Sequence, residues 1–327
     1  MDWDFLSTFY LQKYRFSCTV SEEMLLFQQK GSSLRGLFGS TLKMVSCRNR
    51  GEPCYDCQWQ DLCSFRCIFE PAPLLDDPHA GKYNDYPRPY VLIPPLDGKR
   101  IYRRGDEFVF GLVLIGSANE HLHTVVRTVE QMGARGFEKG GGAFIIREIA
   151  FDNGPGKQEA FYSGGIPTRT PCVLAWEDFE TLSLAGDIIH IFLETPLRRK
   201  IRNHLAGTAP SFSEFAKLLF ERASLLNFRY CDGPYPESFD NYLNETCNVC
   251  MVPPLQLQWI DFERYSRRQK AKMQLGGITG TISYKGDVSS FIPLLHLGEY
   301  INIGKSTTFG LGKFKLVKDR GSRRNHA

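Results

Sequence analysis

The chain has 327 residues, of which 42% are hydrophobic and 23% are charged. This balance excludes disordered, collagen-like and coiled-coil chains, and the length predicts two domains of about 150 residues each. The net charge of +4 is unevenly spread, since basic residues are concentrated at 99–104, 196–202, 264–272 and 313–324. No segment has the ~20 apolar residues of a membrane-spanning helix, and the acidic start does not resemble a secretory signal, so we expect a cytoplasmic protein without a membrane partner.

The first half of the chain predicts the order β-α-β-β-α-β. Aromatic and β-branched residues at 8–20 are typical of a strand, and Leu34, Phe38 and Leu42 then recur at helical spacing after Gly31. The remaining elements are a cysteine-rich loop, a proline-rich crossing at 71–95, strands at 101–104 and 107–116, a helix capped by Asn119, and a strand at 143–151.

The second half predicts the same order after a linker at 154–186. It has a strand at 187–194, a helix opened by the capping box Ser211-x-x-Glu214, strands at 255–262 and 278–284, a helix at 288–297 and a strand at 309–317. The sequence therefore predicts an α+β protein of two tandem ferredoxin-like domains, residues 1–175 with a cysteine-rich insertion at 47–70, and residues 176–327 with a glycine-rich loop at 304–312.

Five of the ten cysteines lie between Cys47 and Cys67. In a reducing compartment such clustering favours metal over disulfides, and four thiolates can enclose one Zn²⁺. We predict a structural zinc bound by Cys47, Cys54, Cys57 and Cys63. Reduced, unliganded cysteines are the alternative, because only Cys54-x2-Cys57 has the usual spacing, and an iron–sulfur cluster fits the spacing less well.

The glycine-rich loop combines glycines with hydroxyls and positive charge. Gly304, Ser306, Thr307, Phe309, Gly310 and Gly312 surround Lys305 in a pattern that can offer backbone N–H groups to a phosphate. A nucleotide-binding P-loop is excluded, because its first glycine would stand at 299, where the chain has Glu299, and because the loop leads into a strand. An ordinary hairpin loop is the alternative interpretation.

Two basic segments suggest a nucleic-acid ligand. One contains Arg264, Arg267, Arg268 and Lys270 beside Trp259, a mixture of cations and aromatic residues found in readers of single-stranded RNA. The other contains Arg198, Arg199 and Lys200. Either alone would be read as a solvated face, whereas the pair favours RNA contacts.

Further motifs resemble those of a known family. The run Trp259-x-Asp261-x-x-Arg264-x-Ser266-x-Arg268-Gln269, the segments at 273–280 and 293–299, and Ile303-Gly304-Lys305-x-Thr307-x-Phe309-Gly310-Leu311-Gly312 resemble the CRISPR-associated precursor-RNA processing endoribonucleases. Leu34-Arg35-Gly36-x-Phe38-Gly39 and Tyr102-x-x-Gly105-Asp106-x-Phe108 are similar to the amino-terminal pattern of the same family, a branch of the repeat-associated mysterious protein superfamily.

The resemblance implies metal-independent cleavage of CRISPR repeat RNA by the substrate's own 2′-hydroxyl, with a cyclic phosphate product. No cofactor is then needed, and the protein aligns the reacting groups and neutralises charge. Many family members carry a histidine on the first helix, whereas residues 31–46 contain none. We therefore expect Lys305, Lys43, His296 and Arg35 to be the catalytic candidates. A non-catalytic protein that only holds the repeat is the alternative, and a CRISPR effector complex is a further expected partner.

Overall fold

The structure, a computed structural model, describes residues 3–49, 53–54, 56–71, 86–137, 141–184, 186–202, 204–235, 238–266 and 271–317, with the side chains at 263–266 and 271–274 left undescribed. The elements of the first half are β1 (Tyr10–Val20), β2 (Met24–Leu25), α1 (Lys30–Ser46), β3 (Tyr90–Ile93), β4 (Ile101–Tyr102), β5 (Glu107–Ile115), α2 (Leu122–Arg135), β6 (Phe144–Asp152), β7 (Gln158–Ser163), β8 (Ile166–Pro167), β9 (Leu174–Ala175) and α3 (Trp176–Glu180). Short helical turns at Gln60–Leu62, Phe65–Phe69 and Gly116–His121 lie between them.

The main sheet of the first half has the strand order β3-β5-β1-β6, extended by β7 and β8. All of its pairings are antiparallel, and β1 lies at the centre with Phe16 opposite Phe110 on β5 and Ile149 on β6. Helices α1 and α2 cover one face through Leu34, Phe38, Val125 and other buried residues. With β3 as the second strand, this is the order of a ferredoxin-like β-α-β-β-α-β unit.

The second strand of that unit was placed wrongly by the sequence. We predicted it at 101–104, but Ile101–Tyr102 pairs only with Met24–Leu25, outside the main sheet. The sheet instead uses Tyr90–Ile93, which we had assigned to a proline-rich crossing. Four buried or nearly buried apolar residues outweigh the flanking prolines, because prolines are tolerated just outside an edge strand.

Two other predictions for the first half are wrong. Residues 154–186 are not a linker, since β7 pairs with β6, and Leu174–Ala175 pairs with the start of β1. Asn119 does not cap α2, because its amide donates to the carbonyl oxygens of Leu114, near the end of β5, and of Gly116, in the preceding helical turn.

The second half contains β10 (Ile188–Leu197), β11 (Lys200–Ile201), β12 (His204–Leu205), α4 (Phe212–Tyr230), α5 (Leu243–Thr246), β13 (Cys250–Ile260), β14 (Glu263–Ser266), β15 (Ala271–Gln274), β16 (Gly277–Lys285), α6 (Ile292–Ile301) and β17 (Phe314–Val317). Its sheet has the order β13-β16-β10-β17, the same ferredoxin-like order as the first. The predicted capping box is confirmed, because the Ser211 hydroxyl accepts from the Glu214 N–H and Glu214 accepts from the Ser211 N–H. The last helix and the last strand both begin later than predicted, after short helical turns at Ser289–Phe291 and Thr307–Phe309.

One hydrophobic core joins the two sheets. The outer face of the first sheet contributes Leu11, Val113 and Ile115, which pack in one cluster with buried residues of α4 and α6. The start of the chain belongs to this cluster as well, and the Trp3 indole N–H donates to the Ser290 carbonyl at 2.8 Å. No described helix is both long and apolar enough to cross a membrane.

Candidate nucleic-acid interface

The glycine-rich loop at 304–312 turns through residues with positive φ. Gly304, Gly310 and Gly312 have φ values of 81°, 78° and 70°, where glycine carries no steric cost. The Cβ of any other residue at 312 would lie 1.7 Å from the Ile303 carbonyl oxygen. Ser306 also has a positive φ, of 66°, which is costly for a residue with a side chain. Backbone outliers of this kind are concentrated at functional sites. This one lies within the loop, at a residue whose side chain is a hydroxyl.

The second sheet holds both ends of this loop. The Lys305 N–H donates to the Arg198 carbonyl at 2.8 Å, and the Gly312 N–H donates to the Pro196 carbonyl at 2.9 Å. The buried Thr195 hydroxyl donates to the Gly310 carbonyl. In the described part of the chain, the N–H groups of Ser306 and Thr307 form no backbone–backbone hydrogen bond outside the helices and strands. Thr307 is only 5% exposed, whereas the Lys305 side chain is exposed. The loop can therefore present N–H donors, a hydroxyl and a positive charge to a phosphate.

Helix α1 of the first half packs directly on this loop. A Cβ at Gly31 would stand 1.9 Å from the Phe309 carbonyl oxygen, so helix and loop meet at backbone distance. One turn further on, the Arg35 guanidinium carbon lies 4.6 Å from the centre of the Phe309 ring and 4.4 Å from that of Phe69. Stacking between two rings fixes the orientation of this half-buried cation, whose Nε is buried and whose guanidinium faces the Tyr90 hydroxyl.

Beneath Arg35, the Tyr90 side chain is fully buried, and its hydroxyl faces the Arg35 guanidinium and Thr308. Burial raises the pKa of Tyr90, and the nearby Arg35 and Arg88 guanidinium groups lower it by a smaller amount. Phe69 and Tyr90 were not among the predicted site residues. Nothing in their local sequence distinguishes them from core residues, although Phe69 ends the cysteine-rich motif.

The start of α1 is anchored by an ion pair that the sequence did not indicate. Lys30 is only 5% exposed, forms an ion pair with Asp97 and donates to the Pro95 carbonyl. The Tyr102 hydroxyl donates to the same carboxylate at 2.8 Å. Burial raises the pKa of Asp97, but hydrogen bonds from Lys30 and Tyr102 outweigh it and leave this pKa below its usual value.

Lys43 and the cysteines lie at the other end of α1. The Lys43 ammonium is 5.4 Å from the Phe65 ring centre, and Lys43 lines a cavity together with Cys47, Cys54, Cys57 and Cys63. The predicted four-thiolate centre is nevertheless not formed, because no three His, Cys, Asp or Glu residues in the described ranges are grouped closely enough to hold a metal. The Cys47 thiol donates instead to the Asn49 carbonyl at 3.2 Å.

His296 lies on α6. Its Nδ1 is 2.9 Å from a carboxylate oxygen of Glu299, whose other oxygen accepts from the Leu316 N–H. These contacts tie His296 to β17. Within the described residues, no hydrogen bond or ion pair joins any two of the four catalytic candidates.

The predicted basic residues differ in their accessibility. Lys200 is exposed and Arg198 is half-buried next to the glycine-rich loop. Arg199 is 5% exposed, lies 3.4 Å from a Glu214 carboxylate oxygen and donates to the Thr208 carbonyl, so its guanidinium is used inside the protein. Arg264 lies on β14 of a hairpin with β15. Arg267, Arg268 and Lys270 lie outside the described residues.

Comparisons with known proteins agree with this architecture. Residues 9–170 match a family model described as an N-terminal domain, and residues 191–314 match the model of the CRISPR-associated endoribonuclease Cas6. An uncharacterised protein of Archaeoglobus fulgidus is 23% identical over 290 residues, which are 88% of this chain and 91% of that protein.

Solved structures show the same fold. A product complex of a Thermus thermophilus Cas6 is 14% identical, with a TM-score of 0.56 over 94% of this chain and 99% of that one. A partial complex of Cas6-RT-Cas1 with Cas2 gives 14% identity and a TM-score of 0.57 over 96% of this chain, which spans about half (47%) of the matched chain.

Proposed function

We propose that the protein cleaves CRISPR precursor RNA within the repeat, because residues 191–314 match the family model of the CRISPR-associated endoribonuclease Cas6. The observation that carries the proposal is the contact between the glycine-rich loop and α1. It brings the exposed Lys305, the strained Ser306 and the stacked Arg35 to one junction between the two halves. Such a junction offers a phosphate several fixed donors from two rigid elements.

The proposed reaction is the one that the family resemblance implies, and the groups at this junction would support it through charge stabilisation and positioning. The 2′-oxygen of the nucleotide before the scissile bond attacks phosphorus, the P–O2′ bond forms and the P–O5′ bond breaks. The 2′-hydroxyl proton is lost, the leaving 5′-oxygen gains a proton, and the products carry a 2′,3′-cyclic phosphate and a 5′-hydroxyl. Lys305 and Arg35 neutralise the charge that builds up on the phosphate, and the backbone N–H groups of the loop hold its oxygens.

The other two catalytic candidates lie apart from this junction. Lys43 is eight residues beyond Arg35, about 12 Å further along the helix axis. The Nδ1 of His296 is in hydrogen-bond contact with a carboxylate oxygen of Glu299. We therefore assign charge stabilisation to Lys305 and Arg35, and Lys43 and His296 stay predictions to be tested by substitution.

RNA beyond the scissile phosphate would follow the basic surface next to the loop. The Arg198 carbonyl contacts the loop, and Lys200 follows two residues later. Arg264 lies in the same half of the chain, on the β14–β15 hairpin. Arg199 supports this surface from inside through Glu214. Because one solved structure with the same fold is a partial complex of Cas6-RT-Cas1 with Cas2, we also propose assembly with other CRISPR proteins.

For the cysteine-rich segment we propose a structural zinc held by Cys47, Cys54, Cys57 and Cys63. The support is that all four thiols line one cavity, whereas Cys67 does not. Binding requires the thiols to draw closer together than they are, and it would clamp a loop with little core of its own. No step of the cleavage depends on it.

One experiment separates cleavage from mere binding. Labelled repeat RNA is incubated with excess purified protein in EDTA, beside the same RNA carrying a 2′-deoxy nucleotide at the cleavage site. We expect cutting of the first and none of the second. Cleavage of both would refute the 2′-hydroxyl mechanism. Tight binding of both without cleavage would assign the protein to the non-catalytic alternative.

A further inference from the structure

A half-exposed tryptophan lies on the edge strand of the second sheet. Trp259 on β13 keeps 44% of its surface exposed. It lies against backbone at Gly276, where a Cβ would come within 2.5 Å of the indole Cζ2, and Gly207 lies at contact distance on the same ring system. The indole therefore packs against glycines and keeps an exposed part on which a base could stack.

The carboxylate of Asp261 lies close to the same glycine, Gly276. Asp261 follows two residues after Trp259, and its Oδ1 lies 3.0 Å from the same Gly276 Cβ position. Asp261 is exposed, and within the described residues it forms no ion pair or hydrogen bond. Any side chain at 276 would fill the space next to both the Trp259 indole and the Asp261 carboxylate.

The surroundings suit a nucleic acid. The β11–β12 hairpin, which precedes Gly207, carries the exposed residues Lys200, Arg202 and His204. The Arg198 carbonyl next to this hairpin holds the Lys305 N–H of the glycine-rich loop. The exposed cations Lys200 and Arg202, which can contact phosphates, thus lie in the chain between the Arg198 contact with the glycine-rich loop and the Gly207 contact with Trp259.

We propose that Trp259 and Asp261 bind one unpaired guanine of the RNA. The indole stacks on the base, and the carboxylate accepts hydrogen bonds from the ring N1–H and the 2-amino group. Guanine is the base that offers two adjacent donors on one edge, which matches the two oxygens of a carboxylate. The site rests on the proposed function, since it selects the RNA that the junction of loop and α1 would cut.

Binding of non-cleavable repeat RNA, with 2′-deoxy at the cleavage site, tests this assignment. Trp259→Leu and Asp261→Asn should each weaken affinity by about 10- to 100-fold. Met251→Ala is the matched control, because Met251 lies on the same strand with 42% exposure and should bind like wild type. Asp261 is exposed, so Asp261→Asn keeps the test valid if Trp259→Leu fails to fold.

Base identity is tested by replacing each guanine of the repeat in turn with inosine, which lacks the 2-amino group. One replacement should weaken wild-type binding and leave Asp261→Asn binding unchanged. Wild-type affinity that is equal for every inosine RNA, or an Asp261→Asn protein that binds like wild type, would overturn the guanine site while cleavage still supports the proposed function. A wild-type protein that binds no repeat RNA would overturn both.

Discussion

Replacing Gly31 with alanine should separate the two parts of the proposed active site. The new Cβ would lie 1.9 Å from the Phe309 carbonyl oxygen, so α1 and the glycine-rich loop must part by roughly 1.5 Å to reach ordinary contact. Overpacking of this kind costs typically 1–3 kcal/mol of stability. Because a displacement of ~1 Å can cost about 10²-fold in rate, we expect cleavage to slow by roughly that factor or more.

Gly36→Ala is the matched control for this change. Gly36 lies on the same helix, and a Cβ there would meet nothing within 4 Å, so alanine should raise helix stability by roughly 0.5–1 kcal/mol. Urea unfolding measures both stabilities, and single-turnover cleavage of repeat RNA in EDTA measures both rates. Gly31→Ala protein that is as stable and as fast as Gly36→Ala would refute the reasoning.

Three further predictions concern other parts of the molecule. Lys305→Ala should slow single-turnover cleavage by about 10²–10³-fold at saturating protein, whereas Lys285→Ala, at the far end of β16, should not; full recovery at saturation would make Lys305 a binding residue only. Asp97→Asn should lower stability at pH 7 by roughly 1–2 kcal/mol, because the buried Lys30 loses its counter-ion while the 39% exposure of Asp97 lets solvent screen part of the attraction. As the Asp97 pKa is lowered on folding, this stabilisation is present above the unfolded value of about 3.9 and is lost as the pH falls through the folded value, so the Asn variant should lose less stability in acid. Cys57→Ser should lower the zinc content and the stability of the protein, while the cleavage rate of the molecules that remain folded should change less. Metal analysis that finds no zinc in the wild-type protein would contradict the proposed site.

Local sequence patterns predict most elements of the fold, because each of them acts over a few residues. The capping box at Ser211 marks the start of α4, and the aromatic and β-branched run at 8–20 becomes β1. The P-loop was excluded on the ground that the glycine-rich loop leads into a strand, and Phe314–Val317 confirms that strand. Element ends were less predictable, since short helical turns precede α2, α6 and β17.

Contacts between distant parts of the chain could not be predicted in this way. Tyr90–Ile93 is a strand only because β5 pairs with it, and its four residues are too few for a periodic signal. Arg35 and Lys305 could be suspected separately from their charge and motifs. That a loop near residue 309 covers the first helix depends on the packing of one sheet against the other, which no local pattern records.

The stacking contact between Arg35 and Phe309 has a consequence for biosynthesis. The two residues are separated by more than 270 positions, and at about 5–20 residues per second the ribosome takes roughly 14–55 s to translate from one to the other. During that interval α1 and Phe69 are already present, but the glycine-rich loop, which completes the proposed phosphate site, has not been made. In a nascent chain the contact between α1 and the glycine-rich loop can therefore form only after nearly the whole chain has been made, and the proposed phosphate site is completed last.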